Sequence, residues 1–305
     1  MRLIEAYERM LFHPRWYDLP VIVLLLPLSF LYGGFMWLRR KTARRKSDFF
    51  PIVSIGNIIV GGSGKTPFVI EVASRYEDVF VISRGYGRRS RGLVEVSRQG
   101  EILVSVEESG DEAMLMALSL PKASVVVSEN RHEAIAFAKK RGAKLIVLDD
   151  GFNRVDIEKF EVLLEPEKIR NPFPFPAGPL REFSFCKRAA DVAAKEGRDY
   201  FRRVTYDSLR ERMVLVTAIS DPARLDSYLP EGVVGKEYLP DHAYFDESKL
   251  EALLRRYGAH SLLVTQKDAV KMADFKLPLS KMKLKLEIRK EILAQIDAYI
   301  KGYGQ

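Results

Sequence analysis

The chain has 305 residues, of which 47% are hydrophobic and 30% charged, the composition of a folded protein of about two domains rather than a disordered one. Its one cysteine, Cys186, excludes a disulfide framework and a cysteine-built zinc site and points to a reducing compartment. With 49 Lys+Arg against 41 Asp+Glu the net charge is +8, which calls for an anionic partner.

From Val21 to Leu38 the sequence reads VIVLLLPLSFLYGGFMWL, an uncharged run of the length (about 18 residues) that raises a membrane helix. Arg39-Arg40-Lys41-Thr42-Ala43-Arg44-Arg45-Lys46 follows directly. A signal peptide would carry its charges ahead of the apolar run instead. A spanning helix would leave its basic end, and all that follows, in the cytoplasm. In the favoured reading Pro27, Ser29 and the Gly33-Gly34 pair break the run, and the segment lies in the interface with Trp16 and Trp37 at headgroup depth. A buried core helix is the competing non-membrane reading. Either membrane reading makes the basic cluster an anchor on an anionic surface, at on the order of 1 kcal/mol per Lys or Arg. With so much charge placed here, nucleic acid is not the expected partner, and no strand face interleaves basic with aromatic residues.

Beyond Ser47, strands alternate with amphipathic helices. Strands are expected at Pro51–Ile55, Val79–Ser83, Ser124–Ser128, Lys144–Leu148 and Glu161–Leu164, with helices at Pro67–Arg75, Asp111–Leu118 and Asn130–Arg141. That spacing implies right-handed crossovers and a mainly parallel sheet. Leu93–Val96 and Ile102–Val106 read as a hairpin among Gly- and Arg-rich turns. Arg198–Asp207 is charged and reads as a linker. A second series follows, with strands at Met213–Ala218, Ser261–Thr265 and Met282–Ile288 and helices at Pro222–Tyr228, Glu247–Tyr257 and Glu291–Lys301.

Chemistry enters at the end of the first of these strands. Ile59-Val60-Gly61-Gly62-Ser63-Gly64-Lys65-Thr66 follows a strand and opens a helix, the context of a phosphate-binding loop. Its glycines let backbone N–H groups turn toward phosphates at a helix N-terminus, Lys65 would bridge the phosphates, and the Thr66 hydroxyl would ligate Mg²⁺. The strict pattern has glycine where Ile59 stands, so Gly61 and Gly62 must supply the flexibility. Lys144–Leu148 ends in Asp149-Asp150-Gly151; an acid pair closing a strand is the metal-holding half of a nucleotide site, and together the two motifs indicate an NTP–Mg²⁺ site. Asp111 and Glu112 open a helix, where an acid serves as a cap or first-turn residue, although a kinase also needs a carboxylate to receive its acceptor's proton. By the same reasoning a lone loop histidine such as His242 is an ordinary solvated residue. Arg84, Arg88 and Arg89 stand at a strand's carboxyl end, placed to bind substrate phosphate or lipid.

An apolar N-terminal segment, VGGSGKTP, SRGYGRRS, SGDEAMLMA, VVVSENR, LDDGF, PAGPLRE, LPDH and TQKDAVKM, in that order along nearly the whole chain, resemble the tetraacyldisaccharide 4′-kinase family. The resemblance implies an α/β fold: a P-loop kinase core with a mainly parallel sheet (47–205), a smaller C-terminal α/β subdomain (206–305) and an N-terminal membrane-associated helix (1–46). It implies transfer of the ATP γ-phosphate to the 4′-hydroxyl of a tetraacylated glucosamine disaccharide 1-phosphate at the cytoplasmic face of a bacterial inner membrane, by a chain expected to be monomeric. It also implies that Asp111 is the catalytic base and His242 its partner, with Lys65, Thr66, Asp149 and Asp150 as the ATP–Mg²⁺ set. The family continues LDDGF with Gln-His; here Asn153-Arg154 follows, and Arg154 becomes a candidate phosphate contact. The alternative is a membrane-recruited P-loop ATPase or GTPase acting on a partner protein.

Overall fold

The computed structural model describes residues 2–47, 49–61, 64–219, 222–241 and 243–303, so Gly62, Ser63 and His242, all expected site residues, lie outside the described residues. Helix α1 (Arg2–Phe12) and a 3-10 turn (Trp16–Asp18) lead into α2 (Leu19–Thr42). The turn is tied to α1 by Arg9, which donates to both carboxylate oxygens of Asp18.

Helix α2 runs unbroken for 24 residues, so Pro27, Ser29 and Gly33-Gly34 do not interrupt it. Packing absorbs two of these positions. Ile22, Ser29, Gly33 and Met36 form a buried stripe. Ser29 Oγ accepts the Ala177 N–H at 2.8 Å, and a Cβ on Gly33 would stand 2.8 Å from Phe183 Cζ. At the basic end Arg40 donates to both Glu182 oxygens at 2.7 and 2.8 Å, its guanidinium 4.2 Å from the Phe152 ring centroid, while Arg39 donates to Asn153 O at 2.8 Å. Two arginines of the expected lipid anchor are therefore committed to the protein, whereas Lys41, Arg44, Arg45 and Lys46 stay exposed. Among the described residues this is the one helix long and apolar enough to cross a membrane.

The remaining elements are β1 (Ile52–Asn57), α3 (Lys65–Ala73), β2 (Val79–Ser83), β3 (Val94–Arg98), β4 (Glu101–Ile102), α4 (Val106–Ser109), α5 (Asp111–Ser119), β5 (Ser124–Val127), α6 (Arg131–Lys140), β6 (Leu145–Asp149), β7 (Phe160–Glu165) and β8 (Val192–Lys195). They are followed by β9 (Tyr200–Asp207), β10 (Met213–Thr217), β11 (Val233–Tyr238), α7 (Glu247–Tyr257), β12 (Ser261–Thr265), α8 (Gln266–Val270), β13 (Leu279–Ile288) and α9 (Lys290–Lys301). The strand order is β4-β3-β5-β2-β6-β1-β7-β8 in the larger sheet and β11-β10-β12-β13-β9 in the smaller.

Two compact units are each assembled from separated stretches, Met1–Lys65, Val147–Phe201 and Ile288–Gln305 in one, Thr66–Ile146 and Arg202–Glu287 in the other. In the first, β1 pairs parallel with β7 and β7 with β8. In the second, β2 pairs parallel with β5, and β3 is antiparallel to both β5 and β4. Every residue of β1, β2, β5 and β6 is buried, as in parallel sheets covered on both faces, which is why these strands read as continuous apolar runs. The expected linker is a strand: β9 ends the smaller sheet as an edge, and its charges pair with β13 through Arg203–Glu287 at 2.8 Å and Lys283–Asp207 at 3.1 Å. Burial pushes the Cys186 thiol up to about 11, so it carries no nucleophilic chemistry.

Candidate active site

In the first unit, β1 and β6 run with their carboxyl ends into the glycine loop and the acid pair, the edge where ligands bind in sheets of this kind. Ile59 is anchored with its side chain in a cluster with Ile58, Phe152, Leu163 and Leu180. Val60 donates its N–H to Pro179 O at 2.8 Å. The turn beyond them needs glycine, since Gly61 and Gly64 have φ of +81° and +76°. Lys65 opens α3 and donates from Nζ to Asn57 Oδ1 at 3.1 Å, with Asp150 Oδ1 3.5 Å away. Thr66 is the second residue of that helix.

Asp149 is buried as the last residue of β6, and Asp150 follows with φ +56°, a left-handed conformation that costs a non-glycine residue energy and recurs at functional sites. Arg181 Nη1 lies 3.0 Å from each Asp150 oxygen. Desolvation pushes the Asp150 carboxyl up, but the Lys65 ammonium and the Arg181 guanidinium outweigh it and hold the group below the usual carboxylate range. Hard oxygen donors of this kind suit Mg²⁺, which takes one or two carboxylates and leaves its other positions to water and phosphate. Among the described residues no cluster of three or more His, Cys, Asp or Glu offers a closed all-protein metal cage. Arg154 lies on the same unit, with Nη2 3.5 Å from Asp156 Oδ2.

In the second unit, Asp111 is the first residue of α5, behind Gly110, whose φ is +84°. It is a first-turn acid rather than the cap, and it is 4% exposed. Its carboxylate lies 3.1 Å from Lys271 Nζ and 3.7 Å from Lys267 Nζ. Lys267 Nζ also lies 3.3 Å from Glu112 Oε1 and 4.0 Å from Asp241 Oδ1. Burial pulls the Lys267 ammonium down, and the carboxylates of Glu112, Asp111 and Asp241 more than restore it, so it stays charged. Of the three arginines after β2, Arg84 and Arg89 are exposed, with Arg89 5.3 Å from the Tyr244 ring centroid. Arg88 instead works as a pin, donating to Glu129 Oε1 and Gly92 O at 2.6 Å each and to Ser90 Oγ at 3.3 Å.

Asn57, Arg181, Lys267 and Lys271 belong to these constellations but were not candidates from sequence. Asn57 sits seven residues before Lys65's neighbour Gly64, close enough for the strand-to-loop context to have suggested it. The others stand far in sequence from the carboxylates they meet, and nothing local marks them.

The family model described as tetraacyldisaccharide-1-P 4′-kinase matches residues 21–204 and 195–301. The tetraacyldisaccharide 4′-kinase of Helicobacter pylori is 47% identical over 298 residues, covering 97% of this chain and 95% of its own. That of Aliarcobacter butzleri is 42% identical over 305 residues, covering 97% of each. A crystal structure of the "apo" form of LpxK from Aquifex aeolicus in complex with ATP superposes with a TM-score of 0.76 at 27% identity, covering 92% of this chain and 99% of that one. With the family model and these relatives spanning almost its full length, the chain belongs to the tetraacyldisaccharide-1-P 4′-kinase family.

Proposed function

We propose that this protein transfers the γ-phosphate of ATP to the 4′-hydroxyl of a tetraacylated glucosamine disaccharide 1-phosphate, a step of lipid A synthesis. The observation that carries the reading is the Lys65 ammonium, held between Asn57 and Asp150 at the mouth of a glycine loop in a chain of this family. Phosphoryl transfer asks little covalent chemistry of a protein; it asks for positioning and for positive charge where negative charge develops. Loop amides and Lys65 supply that charge. Asp111 accepts the acceptor hydroxyl's proton, and His242 orients it. Mg²⁺, when bound, would be held by Thr66, Asp149 and Asp150 and would neutralise charge on the phosphate oxygens. Arg84 and Arg89 are the exposed side chains proposed to meet the substrate's own phosphate, on a turn held by Arg88; Arg154, on the other unit, is a separate candidate phosphate contact.

Purified protein should release ADP only when the acylated disaccharide phosphate is supplied. Equal release without acceptor would favour the ATPase or GTPase switch instead.

The acceptor is an anionic amphiphile, and α2 is built to meet it at a bilayer surface. Its buried stripe lies along the first unit, while Leu24, Leu31 and Phe35 on its other side are 78%, 72% and 65% exposed and four cations follow. An apolar face with basic flanks lies in the interface, and this reading places the enzyme on the cytoplasmic face of the inner membrane. Leu24→Glu with Leu31→Glu should abolish co-flotation with anionic phospholipid vesicles and leave the thermal midpoint unchanged. Undiminished flotation would remove α2 from the membrane.

A further inference from the structure

We propose that Lys271 is a positioning residue for phosphoryl transfer, its buried ammonium fixing the Asp111 carboxylate against the backbone beside His242. The inference rests on Asp111 being the proton acceptor. Lys271 and Asp111 side chains are each 3% exposed, and Nζ lies 3.1 Å from Asp111 Oδ2. The same ammonium donates to Ala243 O at 3.2 Å, the carbonyl directly after His242. One cation thus binds both the acid and the loop that carries its expected partner. Lys267, four residues earlier and so on the same helical face, reaches Asp111, Glu112 and Asp241, which directly precedes His242.

The scaffold beneath this arrangement is rigid. Asp268, between the two lysines, is fully buried and accepts from Thr217 Oγ1 and Thr265 Oγ1 at 2.7 Å and from the Ala218 N–H at 3.1 Å. This pins α8 to the end of β10, so the lysines rise from a fixed base. A buried ion pair is poor value as a stabilising device, because apolar residues of similar volume serve as well or better. Its worth here is geometric. In a loose transition state the acceptor hydroxyl gives up its proton late, so the placement of the receiving carboxylate matters more than its strength as a base. Lys267 and Lys271 from the α8 segment lie against Asp111, while Glu112 from its own helix and Asp241 at the head of the loop share Lys267 with it, and His242 lies outside the described residues.

The test compares Lys271→Met, Lys271→Gln and Lys271→Arg with Asp111→Asn across the pH–rate profile. Lys271→Met should lower kcat by about 10- to 100-fold with KM for ATP unchanged, since misplacing a reacting group by about 1 Å costs up to about 10²-fold. The acid limb of its profile should move to higher pH, because the cation beside the carboxylate is gone. Lys271→Arg should recover most of kcat. If Lys271→Met does not fold, Lys271→Gln gives the same reading, keeping a donor for Ala243 O while removing the charge. Wild-type kcat and an unmoved acid limb, with or without a lower thermal midpoint, would overturn the role of Lys271 while an inactive Asp111→Asn left the proton acceptor in place. An active Asp111→Asn would overturn both.

Discussion

Lys65→Ala is expected to lower kcat by about 10³-fold while the protein stays folded. The ammonium rests against Asn57 Oδ1 and Asp150 Oδ1, with only 13% of the side chain exposed, so the protein itself fixes its position. A pre-placed charge costs no reorganisation when charge develops, and removing one such donor typically costs about 10²–10³ in rate. In the proposed role the lysine also neutralises phosphate charge on the nucleotide, so KM for ATP should rise as well. The fold should tolerate the change. Asp150 keeps Arg181, and with about a third of the Asp150 side chain exposed the lost pair contributes about 1 kcal/mol or less. Steady-state rates at saturating acceptor, beside a thermal melt, separate the two effects. Turnover within a few-fold of wild type would remove Lys65 from the chemistry.

Asp111→Asn is expected to act on both rate and stability. In the proposed role of proton acceptor, its loss should lower kcat by about 10²–10⁴-fold. As the partner of a lysine that is 3% exposed, its loss leaves a buried ammonium short of a counter-charge, and breaking such a pair costs about 3–5 kcal/mol. The nearby Lys267 adds to that penalty, since it loses one of three carboxylate neighbours. Kinetics are therefore to be measured well below the lowered melting point and normalised to folded protein. A melting point that falls while turnover per folded molecule is unchanged would make Asp111 a structural ion pair only.

The sequence made the sheet legible because parallel strands are buried on both faces: the continuous runs at Val79–Ser83 and Lys144–Leu148 translate almost directly into β2 and β6. Amphipathic strands were harder. In β9 the exposed charges of Phe201–Asp207 masked an edge strand, whose pairing partner β13 comes some seventy residues later. Val106, expected at the end of a strand, begins the short helix α4, because Ser105 and Glu108 form a capping box. The glycine loop before α3 and the acid pair closing β6 are legible as candidates because each is a few adjacent residues at a strand end. Arg181, Lys267 and Lys271 were not, because a cation on a loop or helix reads as solvated until the fold brings a distant carboxylate to it. Arg88 shows the converse: a basic motif suggested ligand binding, and the side chain turned inward to hold Glu129.

The most direct measurement locates the transferred phosphate. Purified protein is incubated with γ-labelled ATP, Mg²⁺ and tetraacyldisaccharide 1-phosphate, and the lipid product is extracted and its phosphate positions assigned by phosphorus NMR. Label on the 4′ carbon's oxygen, with one ADP formed per lipid phosphorylated, is the predicted result. ADP and free labelled phosphate with an unmodified lipid, or label at any other oxygen, would contradict it.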